Sequence, residues 1–155
     1  DGITELPRAV LMAGYKDTSS SDAVYMLDWY AYGIGKVPVK VATTYQNISD
    51  AWSLLIDQKW HDRITAIKAN DGGLSYVEFF EYRKNKMSIP LFNIYCATGS
   101  NREYYAERTD LIQLGQTTQA IYFAKLTNEG EQSELALTGD EIKARFSLVN
   151  QAWNN

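Results

Sequence analysis

Residues 74–98 read LSYVEFFEYRKNKMSIPLFNIYCAT, and the fold turns on this stretch. In its first arm Tyr76, Phe80 and Tyr82 share one face of an extended chain, with Val77 and Phe79 on the other. In its second arm Phe92, Ile94 and Cys96 share a face. Aromatic and β-branched residues at a period of two suit a pleated, mostly buried surface. The polar run Arg83-Lys84-Asn85-Lys86 supplies a tight turn between the arms. The spacing predicts adjacent antiparallel strands over 74–83 and 89–97.

Toward the C-terminus, Gly99 to Asp110 is a polar loop with adjacent Tyr104 and Tyr105. Leu111 to Leu114 and Ala120 to Leu126 form a second hairpin across Gly115-Gln116-Thr117-Thr118. Asn128 to Glu134 reads as an acidic, flexible loop. Thr138 and Glu141 have the spacing of a capping box. Ile142, Phe146, Val149 and Trp153 follow at i, i+4, i+7 and i+11, the stripe of a final helix packed on the sheet.

Toward the N-terminus, Asn70-Asp71-Gly72-Gly73 is a strong turn. Residues 48–67 admit two descriptions. Ile48, Trp52, Leu55, Ile56 and Trp60 fit a helix. Trp52, Leu54 and Ile56 equally fit a strand, followed by a turn at Asp57-Gln58-Lys59 and a second strand from Ile64 to Lys68. Ala23 to Tyr32 is a strand with Tyr30 and Tyr32 on one face and Trp29 on the other. Glycines in Gly33-Ile34-Gly35-Lys36 supply a turn, and Val37 to Tyr45 pairs back, with Pro38 at a strand start or edge. Ala9 to Met12 is a short strand and Lys16 to Asp22 a loop. The fold class is α+β: an antiparallel sheet with at least one C-terminal helix packed on it.

The 155 residues fit one domain, 1–155. A net charge of −4 argues against a phosphate-backbone partner, so no nucleic acid is expected. No apolar run approaches the ~18 residues of a membrane span. Cys96 is the only cysteine and His61 the only histidine, which excludes a zinc site of the usual ligands unless carboxylates dominate it, and no metal is expected. No phosphate-loop or dinucleotide motif occurs, so no cofactor is expected. Cys96, among apolar neighbours, is a buried small hydrophobe. Asn47-Ile48-Ser49 matches a glycosylation acceptor.

At the start, Asp1, Gly2 and Glu5 within DGITEL resemble the tail of the acidic loops of FG-GAP/VCBS propeller repeats. The resemblance implies that 1–22 is a remnant or extension of an upstream repeat region, the alternative being a polar N-terminal end leading into a strand; the abrupt start at Asp1-Gly2 fits a trimmed or mature segment. From Trp60 the order Trp-x-x-x-Ile-Thr, the strand Tyr76 to Tyr82, Pro90-Leu91-Phe92-Asn93-Ile94-Tyr95, Leu114-Gly115 and Ile121-Tyr122-Phe123-Ala124 resembles a group of Gram-positive cell-envelope proteins. Their domain looks like the PsbP-like α/β/α sandwich. The resemblance implies that fold, implies strand, turn, strand over the ambiguous segment, and implies an extracytoplasmic, cell-surface or secreted protein with no known reaction.

His61 sits in a polar stretch without a G-x-S-x-G nucleophile elbow, so a serine hydrolase has no support and the side chain reads as a surface histidine. Glu78 and Glu81, three apart on a strand, point to opposite faces and do not make a glycosidase pair. Eleven tyrosines and four tryptophans are the surplus of the composition. Trp29, Tyr30, Tyr32, Tyr104 and Tyr105 are the candidate ligand-binding residues, as a platform for sugar or peptide. The expected function is a non-catalytic interaction or structural domain of a larger envelope protein, its partner a cell-wall glycan or another envelope protein. The alternatives are a carbohydrate- or peptide-binding module and a small enzyme acting on envelope glycans or peptides.

Overall fold

The computed structural model describes residues 4–15, 23–33, 35–71 and 73–149. Its strands are β1 (Thr4–Leu11), β2 (Tyr25–Tyr32), β3 (Val39–Asn47), β4 (Trp52–Leu55), β5 (Ile64–Asp71), β6 (Leu74–Arg83), β7 (Lys86–Thr98), β8 (Ile112–Gln116), β9 (Ala120–Leu126) and β10 (Phe146–Leu148). Its α-helices are α1 (Arg102–Ala106), α2 (Asn128–Glu131) and α3 (Gly139–Arg145). The strands form two five-stranded sheets, β1-β2-β3-β4-β10 and β5-β6-β7-β9-β8, and every pairing is antiparallel.

The central hairpin forms as its pattern predicts. β6 and β7 pair from Leu74 opposite Ala97 to Arg83 opposite Lys86. The turn places Lys84 and Asn85 at φ 49° and 60°. Left-handed geometry at both central residues matches the right-handed twist of the flanking strands. Phe92, Ile94 and Cys96 are buried together on the core side, with Val77 and Phe79 opposite them on β6. Residues 52–71 are strand, turn, strand. Trp52, Leu54 and Ile56 face the core, and Leu55 faces out.

The α+β assignment and the α/β/α sandwich do not hold. Strands take 55% of the chain and helical residues 15%, in a β-rich fold with two antiparallel sheets. The sheets share one core: Tyr45 of the first meets Phe79 of the second edge-on at 5.4 Å, and Phe79 stacks on Phe92 at 4.8 Å. Each sheet's inner face is covered by the other sheet, which leaves no room there for a helix layer.

The C-terminal helix starts where predicted and stops early. Thr138 and Glu141 close a full capping box. After Arg145 the backbone becomes extended, and Phe146–Leu148 pairs with Leu54–Trp52 of β4. The helical stripe is therefore incorrect beyond Ile142. Phe146 is buried as a strand residue against Trp52 and Tyr122, Val149 is exposed, and Trp153 lies outside the described residues, as do Asp1, Gly2 and Lys16 to Asp22. The open edge of β4 offers three residues a backbone ladder, which outcompetes another helical turn. Two segments read as loops carry short helices, α1 and α2, and the second hairpin turns one residue pair later than expected, at Thr117–Gln119.

The β3–β4 turn holds Ala51 at φ 55°. For a residue with a Cβ this left-handed conformation costs about 1–2 kcal/mol. Ala51→Gly should therefore raise the urea midpoint, by about 0.5–1 kcal/mol after glycine's larger unfolded-state entropy is counted. An unchanged or lower midpoint would show that the turn carries no such strain.

Candidate functional site

A wedge-shaped opening beside β3 follows from unequal strand lengths. β3 pairs with β4 only over Thr44–Asn47, while its pairing with β2 continues to Val39. A bulge at Val41, where Trp29 faces Ala42 and Tyr30 faces Lys40, adds local twist to this free portion. The chain following β4 makes one more bond to β3, from the Ile56 N–H to the Thr43 carbonyl at 2.8 Å. It then winds away into the 3-10 turn Gln58–Trp60, capped by Asp57. The wedge left between has a volume of about 820 Å³. Met26, Val41, Ala42, Leu55 and Ile56 give it apolar walls; Lys40, Thr43, Asp57, His61 and Arg145 give it polar ones.

The polar groups are held in two fixed pairs. Lys40 Nζ lies 2.7 Å from Asp28 Oδ1, and the Thr43 hydroxyl donates to the same oxygen at 2.6 Å. Asp28 is 7% exposed. Burial pushes its carboxyl up, but the hydrogen bonds from Lys40 and Thr43 and the lysine charge outweigh this and hold it below the usual range. Opposite, Arg145 Nη2 donates to Asp57 Oδ2 at 2.6 Å. The Lys59 N–H and then Arg145 lower the Asp57 carboxyl. His61 is half exposed, with Nδ1 3.1 Å from Asp62 Oδ2.

The candidate aromatic residues fall on two different sheets. Trp29, Tyr30 and Tyr32 belong to β2. Trp29 is anchored by its Nε1–H to Thr44 Oγ1 at 2.9 Å, Tyr30 is half-buried opposite Lys40, and Tyr32 is exposed. Tyr104 and Tyr105 lie on α1, which packs on β7 and β9 of the other sheet. There a row of rings crosses the outer face. Tyr76 meets Tyr95 at 5.3 Å, Tyr95 stacks on Phe123 at 5.0 Å, and Phe123 on Tyr105 at 5.4 Å. These spacings are close to the ~4.8 Å between strands, so the rings stand on the sheet and turn their faces to one another. Such rings are not coplanar, and they work as a satellite core with Ala97 and Ile121. Tyr104 alone projects, edge-on to Tyr105.

The other sequence candidates are also placed. Glu78 is partly exposed and accepts from Asn93, while Glu81 is fully buried, so the two do point apart. Cys96 is buried, and burial pushes its thiol up to about 11. Asn47 is 2% exposed and donates its amide to Asp50 Oδ2 at 2.8 Å, which closes it to glycosylation in the folded state. Asp28 was open to discovery as a charge at period two with Met26 and Tyr30 in an apolar strand. Arg145 carried no such signal, because its partner Asp57 lies 88 residues away.

Among the described residues no helix is long and apolar enough to cross a membrane, and no cluster of His, Cys, Asp and Glu could hold a metal ion. The chain matches no protein-family model, no curated protein and no solved structure.

Proposed function

We propose that this chain is a non-catalytic interaction domain of a larger extracytoplasmic envelope protein, and that the wedge beside β3 is its binding site. The observation that carries this is the direction of the wedge's hydrogen bonds. Its hydroxyl, on Thr43, donates to Asp28 and not to His61. Asp28, held low, is a poor base, and the hydroxyl stays with it. Nucleophilic catalysis needs a nucleophile bonded to a base of suitable pKa. An apolar wedge with a few fixed polar groups is instead what a ligand site requires. The likeness of the apolar order from Trp60 to Ala124 to Gram-positive envelope proteins supports the placement outside the cytoplasm.

The test compares wild type and His61→Ala on envelope-type glycans and peptides. Neither protein should hydrolyse any of them, and the variant should keep its stability within about 0.5 kcal/mol, as exposed substitutions do. A wild-type activity that falls ~10²–10⁴-fold in the variant, the contribution of general acid–base catalysis, would overturn the non-catalytic assignment.

A further inference from the structure

Four consecutive residues, Lys40 to Thr43, line the wedge. Side chains of consecutive strand residues alternate between faces, so a cavity that touches all four lies along the edge of the strand. On that side of Val39–Ala42 no strand pairs among the described residues. The wedge is thus the place a further strand would occupy. Val39 and Val41 are exposed there, at 62% and 51%.

The charged groups set the class of occupant. Both acceptor oxygens of Asp57 are engaged, by the Lys59 N–H and by Arg145, and Asp28 Oδ1 is engaged by Lys40 and Thr43. Each carboxylate oxygen keeps a second lone pair, but the buried, unpartnered polar atom of the lining is a donor. A lysine has three N–H groups and an arginine five, and Arg145 Nε is buried with no partner among the described residues. The wedge therefore favours anionic acceptors, on a chain whose net charge is −4. A lysine on an open edge also discourages two copies from pairing edge to edge.

We propose that the open edge of β3 takes an extended acidic peptide segment of a partner protein, added as a strand along Val39–Ala42 with its carboxylates on Lys40 and Arg145. The assignment rests on the wedge being a binding site. In this mode main-chain hydrogen bonds supply affinity and the flanking side chains supply selectivity.

The probe is a short fluorescent peptide of alternating valine and glutamate. Its controls are the valine–lysine counterpart and two versions N-methylated at alternate residues, one set each. The acidic peptide should bind saturably and slow amide hydrogen exchange at Val39–Ala42. Methylation of one set should weaken it about tenfold or more, because the ladder on that side is lost. Lys40→Gln should weaken it about tenfold and flatten its salt dependence. Equal binding by the lysine peptide, indifference to both methylations, protection elsewhere on the molecule, or no saturable binding at millimolar peptide would each overturn the proposal. These outcomes leave the non-catalytic assignment standing, since only turnover lost with His61→Ala removes that.

Discussion

Gly130→Ala is expected to destabilise the fold by about 3 kcal/mol, although alanine is the better helix former. Gly130 lies in α2, buried against β7. A Cβ built there would sit 2.3 Å from the Leu91 carbonyl oxygen, 2.7 Å from Leu91 Cα and 2.6 Å from Thr127 Oγ1. Two of these are backbone atoms of a central strand, which cannot swing aside as a side-chain tip can. Thr127 is itself the N-cap, accepting from the Gly130 N–H at 2.9 Å and donating to β7, with the Pro90 carbonyl at 2.5 Å and the Leu91 carbonyl at 3.1 Å. Overpacking of this kind costs about 1–3 kcal/mol, and a lost cap about 1 kcal/mol more. The helix-propensity gain is about 1 kcal/mol at most, so it loses. The displaced segment also carries Leu135, which is 1% exposed and whose carbonyl accepts the Trp60 indole N–H at 3.0 Å. Urea unfolding should show a lower midpoint with an unchanged slope. A midpoint equal to or above wild type would mean that α2 does not sit on β7 as described.

The parts of this fold that were legible in the sequence are those whose determinants are local. The 74–98 hairpin declares itself because period-two burial and the Lys84-Asn85 turn occupy contiguous residues. The capping box of α3 is legible for the same reason. The length of α3 is not: Phe146 is apolar at i+4 from Ile142, which serves a helix and an ensuing strand equally, and the edge of β4 that decides between them is about ninety residues earlier in the chain. The second sheet was hidden in the same way. Strands β2 and β3 are recognisable, β1 only at its end, and β4 lies in a stretch that fits a helix equally; whether they extend one sheet or build another depends on Tyr45 meeting Phe79, a contact that alternation does not encode. At the site, tyrosine and tryptophan counts drew attention to rings. The wedge instead arises from β4 ending before β3 does, and from ion pairs between distant segments.

Glu81→Ala should cost about 3 kcal/mol at neutral pH, and most of that difference should vanish in acid. Glu81 is on β6, 0% exposed. Its Oε1 accepts from Arg83 Nε at 2.5 Å and Arg63 Nη2 at 3.3 Å, and its Oε2 from the Ser133 hydroxyl at 2.7 Å. Ser133 Oγ in turn accepts the Leu135 N–H at 3.0 Å, so the carboxylate ties the 127–137 segment to the sheet. Removing one partner of a fully buried pair costs about 3–5 kcal/mol. Here the arginines are 41% and 46% exposed and can turn to water, which places the cost at the lower end. Burial alone pushes the Glu81 carboxyl up, but the hydrogen bonds from Arg83, Ser133 and Arg63 and the Arg83 charge bring it below its ordinary value of 4.5. A carboxyl lowered in the folded state binds its proton more readily when unfolded. Its contribution is therefore complete above that ordinary value and is lost as the pH falls through the lowered one. Urea midpoints of wild type and of Glu81→Gln, which keeps the side-chain volume and removes the charge, should accordingly converge as the pH falls from 7 to 3. The alanine variant should retain a residual deficit from its cavity and its unpartnered serine. A wild type–glutamine difference that stays constant across this range would show that the buried carboxylate contributes through shape and not through charge.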